Sequence, residues 1–309
     1  MKIPCVFCFD ESFVGHAAVA ITSLCAHSDS TLKIYCLFYN IPEERLSIIL
    51  NITRRFRVEV EFINVGEQFS GWKTGFHFST ASYYRLLIEN LVPENRAIYL
   101  DCDLLITCDL KDLFNIQLGN NFLAGCKDEK GRKTSKITLA DDDVYINTGV
   151  LVMDLDRMRT EDFFNRARDV YESHTSQIVW ADQCVINLAA AGRKSLLERH
   201  WNVMAHEQSD GTTLEALYEP LVGSGILHFS GPVKPWHMWS GTWEAALWQS
   251  YLRLSGNPLS AASRRPKTVD ELNALIRKFE SEGKWKEAAK ELRLLANHFE
   301  NRIKKITIS

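Results

Sequence analysis

The stretch Ile98-Tyr99-Leu100-Asp101-Cys102-Asp103-Leu104-Leu105 is an apolar run broken by two acids two residues apart. The apolar residues from Ala97 to Leu100 read as the end of a buried strand, and carboxylates placed there are costly unless something positive pairs with them. A divalent cation is the economical partner. A second solution stays open: one acid caps the following turn and the other meets an arginine, with Arg85 and Arg96 both available.

Outward from the strand at 96–100, apolar runs alternate with helical segments. Upstream the pattern predicts strands near 3–8, 33–39 and 58–63 and helices near 14–27, 42–55 and 80–91. Downstream it predicts strands near 121–125, 146–153 and 225–229 and helices near 160–173 and 181–191. Strands separated by helices of this length mean βαβ units, so the expected class is α/β with a mostly parallel sheet. Ligands of such sheets sit beyond the carboxyl ends of the strands. The polar residues there are Asp10, Asp101, Asp103 and His228. No G-x-G-x-x-G follows the first strand and no Walker lysine loop is present, so a dinucleotide dehydrogenase or a P-loop enzyme has no support.

Composition narrows the rest. The 309 residues are 46% hydrophobic, enough for one large domain with a small appended element. A net charge of −3 and a pI near 6.3 give no bulk basic field, so no nucleic-acid partner is expected. Ile3 to Phe9 is cut short by Asp10 and Glu11 and reads as a strand, not a leader peptide. The eight cysteines lie mostly in apolar segments, which suggests reduced thiols in a cytoplasm. Cys5 and Cys8 form a C-x-x-C, but residues three apart on a strand point to opposite faces, so core packing is the expectation for both.

A second stretch carries chemistry: His228-Phe229-Ser230-Gly231-Pro232-Val233-Lys234-Pro235-Trp236. A histidine at a strand end can add an imidazole to two carboxylates, a glycine lets backbone approach a phosphate, and a lysine supplies a point charge. A structural histidine and a packed Pro-Trp are the plainer alternative. Within the strand at 146–153, Asn147 and Gly149 disfavour a regular strand.

Together these stretches resemble glycosyltransferase family 8, in particular its bacterial lipopolysaccharide galactosyl- and glucosyltransferases, from the first strand to about Leu254. The resemblance implies a GT-A fold, a UDP-galactose or UDP-glucose donor, Mn²⁺ with Mg²⁺ as the alternative, and transfer to a glycan acceptor with retention of configuration. The acceptor is expected to be a lipopolysaccharide or other surface glycan. A glycogenin-like glucosyltransferase and a UDP-sugar-binding scaffold without turnover are the alternatives. Position by position, Asp101, Asp103 and His228 match metal ligands. Asp10 and Phe13 match the uridine end, where Ser12 replaces a common amide and Phe13 a tyrosine, and Cys8 and Cys102 match donor-binding positions. Arg85, Asp128, Asn147, Thr148 and Gly149 match donor contacts, and Gly231 and Lys234 the diphosphate side. Asp182 and Gln183 match the acid–amide pair beside the anomeric carbon, and His77, Trp180 and Pro232 the acceptor pocket. Gln183 is a poor nucleophile, which favours attack of the acceptor on the face the diphosphate leaves.

Beyond the expected catalytic domain at 1–254, residues 255–267 hold Gly256, Pro258 and Pro266 and read as a linker. Residues 268–309 form the third segment, with helical periodicity over Val269–Glu282 and Lys284–Asn301 on either side of Gly283, a helical hairpin with a short tail. From Arg264 onward twelve Lys and Arg face seven Asp and Glu, so this end is near +5 while the remainder is near −8. Its apolar stripes (Leu272, Leu275, Ile276 and Phe279; Trp285, Ala288, Ala289, Leu292, Leu295 and Phe299) have four outlets: each other and their own domain, a second subunit, or an anionic inner-membrane surface that carries a lipid-linked acceptor.

Overall fold

The computed structural model describes residues 2–74, 79–204, 225–240, 242–256 and 265–293. Among the described residues the main sheet has seven strands, in the order β3-β2-β1-β4-β7-β6-β8. These are β1 (Ile3–Cys8), β2 (Leu32–Phe38), β3 (Glu59–Asn64), β4 (Arg96–Leu100), β6 (Leu123–Lys127), β7 (Ile146–Asp154) and β8 (Lys194–Leu196). β1 pairs in parallel with β2 and β4, β2 with β3, and β6 with β8, while β7 runs antiparallel to both β4 and β6. Six strands therefore point one way and β7 alone is reversed.

The central strands are buried on both faces, which is why they read as continuous apolar runs. Successive residues feed two separate cores. Ile3, Cys5 and Phe7 join Val14, Ala17, Ile21 and Ile49 on one face, where the helices Val14–His27 and Glu43–Phe56 pack. Val6 and Cys8 join Tyr83, Leu86, Phe163 and Val185 on the other. Cys5 and Cys8 thus lie on opposite faces, and all eight cysteines are buried and reduced.

Three local readings are corrected. Residues 80–91 are not one α-helix: Thr80–Leu87 is 3-10 and only Ile88–Leu91 is α. The tighter winding eclipses residues three apart, and Arg85 Nε donates to the Ser82 carbonyl at 2.9 Å. The strand expected at 121–125 lies at Leu123–Lys127, which puts Asp128 directly after its end. The segment at 225–229 is not part of the main sheet. β10 (Ile226–His228) sits in a small second sheet, antiparallel to β5 (Leu104–Ile106) and parallel to β9 (Val203–Met204). The helix Thr242–Ser255 closes over that sheet, with Trp248 and Leu252 packed among Val19, Leu105, Leu227, Phe229 and Trp236.

The helix Val269–Ser281 starts on a capping box, in which Thr268 Oγ1 accepts from Glu271 N–H and Glu271 Oε2 accepts from Thr268 N–H, each at 3.2 Å. Leu275 and Ile276 are buried, and Lys278 Nζ donates to the Met238 carbonyl at 3.2 Å, so this helix lies on the preceding domain. Gly283 turns the chain at φ +69°. In the helical residues 285–293 the expected single apolar face divides: Ala288 is buried, whereas Trp285 is 65% and Leu292 46% exposed. Leu295, Phe299 and His77 lie outside the described residues, as does most of the linker. Among the described residues no helix is long and apolar enough to cross a membrane.

Candidate active site

The reversed strand builds the site. Because β7 runs against its neighbours, its first residues, Ile146 to Gly149, lie at the same edge as the carboxyl ends of β4 and β6. Asp101 N–H donates to the Gly149 carbonyl at 2.8 Å, and Asp128 N–H to that of Tyr145 at 3.0 Å. The second sheet supplies the third component. β5 leaves directly from Asp103, its Leu104 is paired with His228, and Phe229 N–H donates to the Asp103 carbonyl at 3.0 Å. His228 Nε2 therefore stands 3.3 Å from Asp103 Oδ1 and 3.7 Å from Asp101 Oδ2.

Each carboxylate has a cationic partner. Asp101 Oδ1 accepts from Arg85 Nη2 at 2.9 Å and from Tyr99 O–H at 2.6 Å, which leaves Oδ2 facing His228. Tyr99 and Asp101 share a strand face, and the Arg85 guanidinium lies over the Tyr99 ring, 4.2 Å from its centre. Arg96 instead donates to the carbonyls of Phe114 and Ile116. Lys234 Nζ meets Asp103 Oδ2 at 2.6 Å and the Phe229 carbonyl at 2.7 Å, a return made possible by Gly231 at φ +96°. Burial opposes ionisation of Asp103, but Lys234 and His228 outweigh it and hold the carboxyl well below the usual range.

These residues fit a divalent cation. One ligand atom each from Asp101, Asp103 and His228 lies within 4.8 Å of the others, and two carboxylates with an imidazole make a ligand set for a divalent cation. The space is kept open by Gly149, where a Cβ would stand 2.4 Å from His228 Cε1 and 2.8 Å from Asp101 Oδ2.

Beside the triad is a group of amides and acids. Gln183 Oε1 accepts from Asn147 Nδ2 at 3.1 Å and Thr148 N–H at 3.3 Å, and its Nε2 donates to Asp128 Oδ2 at 3.1 Å and Tyr145 O–H at 3.2 Å. Asp182 lies deeper, 3.1 Å from Arg85 Nε, and accepts from Thr148 Oγ1 at 3.2 Å. Burial pushes its carboxyl up to about 6 despite Arg85. The helix Ala181–Ala189 that carries this pair is held to β7 by Asn187, whose amide exchanges hydrogen bonds with both Ile146 N–H and Ile146 C=O at 2.8 Å, as a neighbouring strand would.

The remaining sequence candidates are spread around this centre. Asp10 Oδ1 caps a short 3-10 turn by accepting from Ser12 N–H, Ser12 Oγ and Phe13 N–H. The Phe13 ring meets Trp236 edge-on at 6.2 Å, which ties the end of β1 to the Gly231–Trp236 loop. Cys102 Sγ donates to the Cys8 carbonyl at 3.5 Å, linking that end to the two acids. Trp180 Nε1 donates to Thr134 Oγ1 at 3.1 Å, and Pro232 is exposed. Tyr99, Tyr145, Asn187 and Asn202 were not among the sequence candidates. Only Tyr99 carried a signal, its period-2 position relative to Asp101.

Residues 4–240 match the profile of Glycosyl transferase family 8. The chain belongs to this family. This member of glycosyl transferase family 8 is 29% identical over 255 residues to glycosyltransferase GlyE of Streptococcus pneumoniae, covering 80% of its own length and 60% of that of GlyE. To the lipopolysaccharide 1,2-glucosyltransferase of Escherichia coli K12 it is 27% identical, over 53% of this chain and 51% of that one. A crystal structure of galactosyltransferase LgtC in complex with donor and acceptor sugar analogs superposes with a TM-score of 0.70 at 25% identity, covering 86% of this family 8 chain and 98% of LgtC. An active-site mutant of LgtC gives a TM-score of 0.72. The fold is GT-A, a mixed, mostly parallel sheet flanked by helices.

Proposed function

We propose that this family 8 chain transfers galactose or glucose from a UDP-hexose to an acceptor sugar, with retention of anomeric configuration, in the synthesis of lipopolysaccharide or another surface glycan. The observation that carries the reading is the meeting of Asp101, Asp103 and His228 with the Asn147–Gln183–Asp128 group at one sheet edge. A cation bound by the triad supplies neutralisation of the leaving diphosphate. Lys234, already 2.6 Å from Asp103, adds a point charge there. Arg85 and Tyr99 fix Asp101 so that its free oxygen faces inward. Asn147, Gln183 and Asp128 orient the hexose hydroxyls. Gln183 Oε1 already accepts two hydrogen bonds, which lowers its nucleophilicity and favours attack of the acceptor on the leaving-group face. Asp10 and Phe13 receive the uracil, and Trp180 and Pro232 line the acceptor side.

The exposed stripe of the C-terminal hairpin favours a lipid-borne acceptor. Trp285, Ala289 and Leu292 share one exposed stripe, and Lys286, Lys290 and Arg293 form the exposed row beside it. An apolar stripe flanked by cations complements an anionic bilayer surface, such as the cytoplasmic face of an inner membrane. The transferase reading is tested by mass-spectrometric detection of hexose release across a panel of UDP-sugars with Mn²⁺. Hydrolysis of UDP-galactose or UDP-glucose supports it, and inertness toward the whole panel together with no Mn²⁺-dependent UDP binding refutes it.

A further inference from the structure

Behind the triad a single line of side-chain hydrogen bonds runs from His228 to the sugar side of the site. His228 Nδ1 is 3.0 Å from Asn202 Oδ1, Asn202 Nδ2 is 2.9 Å from Asn147 Oδ1, Asn147 Nδ2 is 3.1 Å from Gln183 Oε1, and Gln183 Nε2 is 3.1 Å from Asp128 Oδ2. Asn202 is completely buried and sits where a 3-10 turn enters β9. Its position in the chain follows no apolar period.

The direction of every bond in this line is fixed by groups that cannot flip. Gly149 N–H, a main-chain donor, is 2.9 Å from Asn147, so the atom it meets is the amide oxygen. That oxygen also faces Asn202, which must therefore present its NH₂ to Asn147 and its carbonyl to His228. A carbonyl oxygen only accepts, so Nδ1 carries a proton, and whenever the ring is neutral its lone pair is on Nε2. Nε2 is the nitrogen that faces Asp101 and Asp103. At the other end Thr148 N–H fixes the Gln183 oxygen and an acid receives its NH₂.

We infer that Asn202 is a positioning residue that holds His228 in the Nδ1–H tautomer, presenting Nε2 as a metal ligand, and joins the metal site to the hexose-binding amides in one polarised relay. That the relay serves donor binding rests on the transferase function proposed above, whereas the tautomer follows from the hydrogen bonds alone. Partners behind a metal ligand of this kind are typically worth about 10- to 100-fold in metal affinity. The two ends of the relay also differ chemically. Asn202→Asp still accepts from Nδ1–H but cannot donate to Asn147, and Asn202→Leu, of similar volume, does neither.

The test needs no turnover. Nitrogen-15 imidazole NMR of the metal-free protein at alkaline pH, with the His228 signal assigned by its loss in His228→Gln, reads the tautomer directly. The parent and Asn202→Asp are expected to show a single Nδ1–H form, and Asn202→Leu a mixture or the Nε2–H form. Calorimetry of UDP with Mn²⁺ is expected to weaken by about 10- to 100-fold in Asn202→Leu and to stay near the parent in Asn202→Asp, with metal-free UDP binding unchanged in both. An Nε2–H parent, loss of the Nδ1–H form in Asn202→Asp, or an Asn202→Leu protein with parental tautomer and parental Mn²⁺–UDP affinity overturns the inference. If no variant or parent binds Mn²⁺–UDP yet the tautomers behave as expected, the transferase reading fails and the relay stands.

Discussion

Replacing Gly149 by alanine adds one methyl group at the narrowest point of the site. The new Cβ would stand 2.4 Å from His228 Cε1, 2.8 Å from His228 Nδ1 and 2.8 Å from Asp101 Oδ2. Carbon atoms in ordinary contact are about 3.5 Å apart, so the imidazole has to retreat by about 1 Å. The backbone offers little relief, because the Gly149 carbonyl is bonded to Asp101 N–H at 2.8 Å and Gly149 N–H to Asn147 Oδ1 at 2.9 Å. Gly149 does not have positive φ, so alanine can take its conformation and the cost is steric alone. Overpacking of this size costs about 1–3 kcal/mol, and a domain with about 5–15 kcal/mol of stability survives it. Metal–ligand distances tolerate only about 0.2 Å, so the retreat removes His228 from the ligand set. Mn²⁺-dependent UDP affinity is expected to fall by about 10- to 100-fold, or about 1.4–2.7 kcal/mol, while metal-free uridine binding is unchanged. Calorimetry with and without Mn²⁺ measures both. A Gly149→Ala protein that binds Mn²⁺–UDP as tightly as the parent would refute the crowding of the triad as the reason for glycine at this position.

Three further outcomes are expected. Asp103→Asn should keep the fold and nearly abolish Mn²⁺-dependent hydrolysis of the donor, since an amide cannot supply an anionic ligand; parental turnover, followed by mass spectrometry, contradicts the metal assignment. Burial pushes the Glu89 carboxyl up from 4.5 to about 7 and leaves its Oε2 without a partner. A folded pKa above the unfolded one means a stabilising contribution that is complete below about pH 4.5 and lost as pH rises through 7. Glu89→Gln, whose amide oxygen can keep the 2.8 Å bond from Phe164 N–H, should therefore gain a few degrees of Tm on the parent between pH 5 and pH 8, and a pH-independent difference in thermal melts counts against this. Trp285→Ser with Leu292→Ser should reduce sedimentation with anionic vesicles and leave donor hydrolysis intact. Unchanged sedimentation, or a parent that sediments equally with neutral vesicles or forms dimers through this stripe, rejects the bilayer contact.

The α/β class was legible because burial on both faces makes β1, β4 and β7 continuous apolar runs, and burial leaves its mark residue by residue. The two acids at 101 and 103 were legible for the same reason: charge at the end of such a run demands a partner. The sequence could not say which partner, since Arg85 and Arg96 looked alike. Only the fold separates them, by laying a 3-10 turn next to β7 so that Arg85 reaches Asp101 and Asp182. The conformation of residues 80–91 was missed because 3-10 and α segments share nearly the same apolar spacing. His228 was recognisable as a strand-end histidine, but its meeting with Asp103 depends on the antiparallel pairing of β5 with β10, which lie more than a hundred residues apart in the chain. Asn187 and Asn202 left no trace, because a buried amide is positioned by hydrogen bonds to distant backbone and not by periodicity. The chain order of apolar residues fixes which segments are buried, and it leaves the strand directions open. Here the reversal of β7, a long-range choice, brings Asn147, Thr148 and Gly149 to the edge where Asp101, Asp103 and His228 converge.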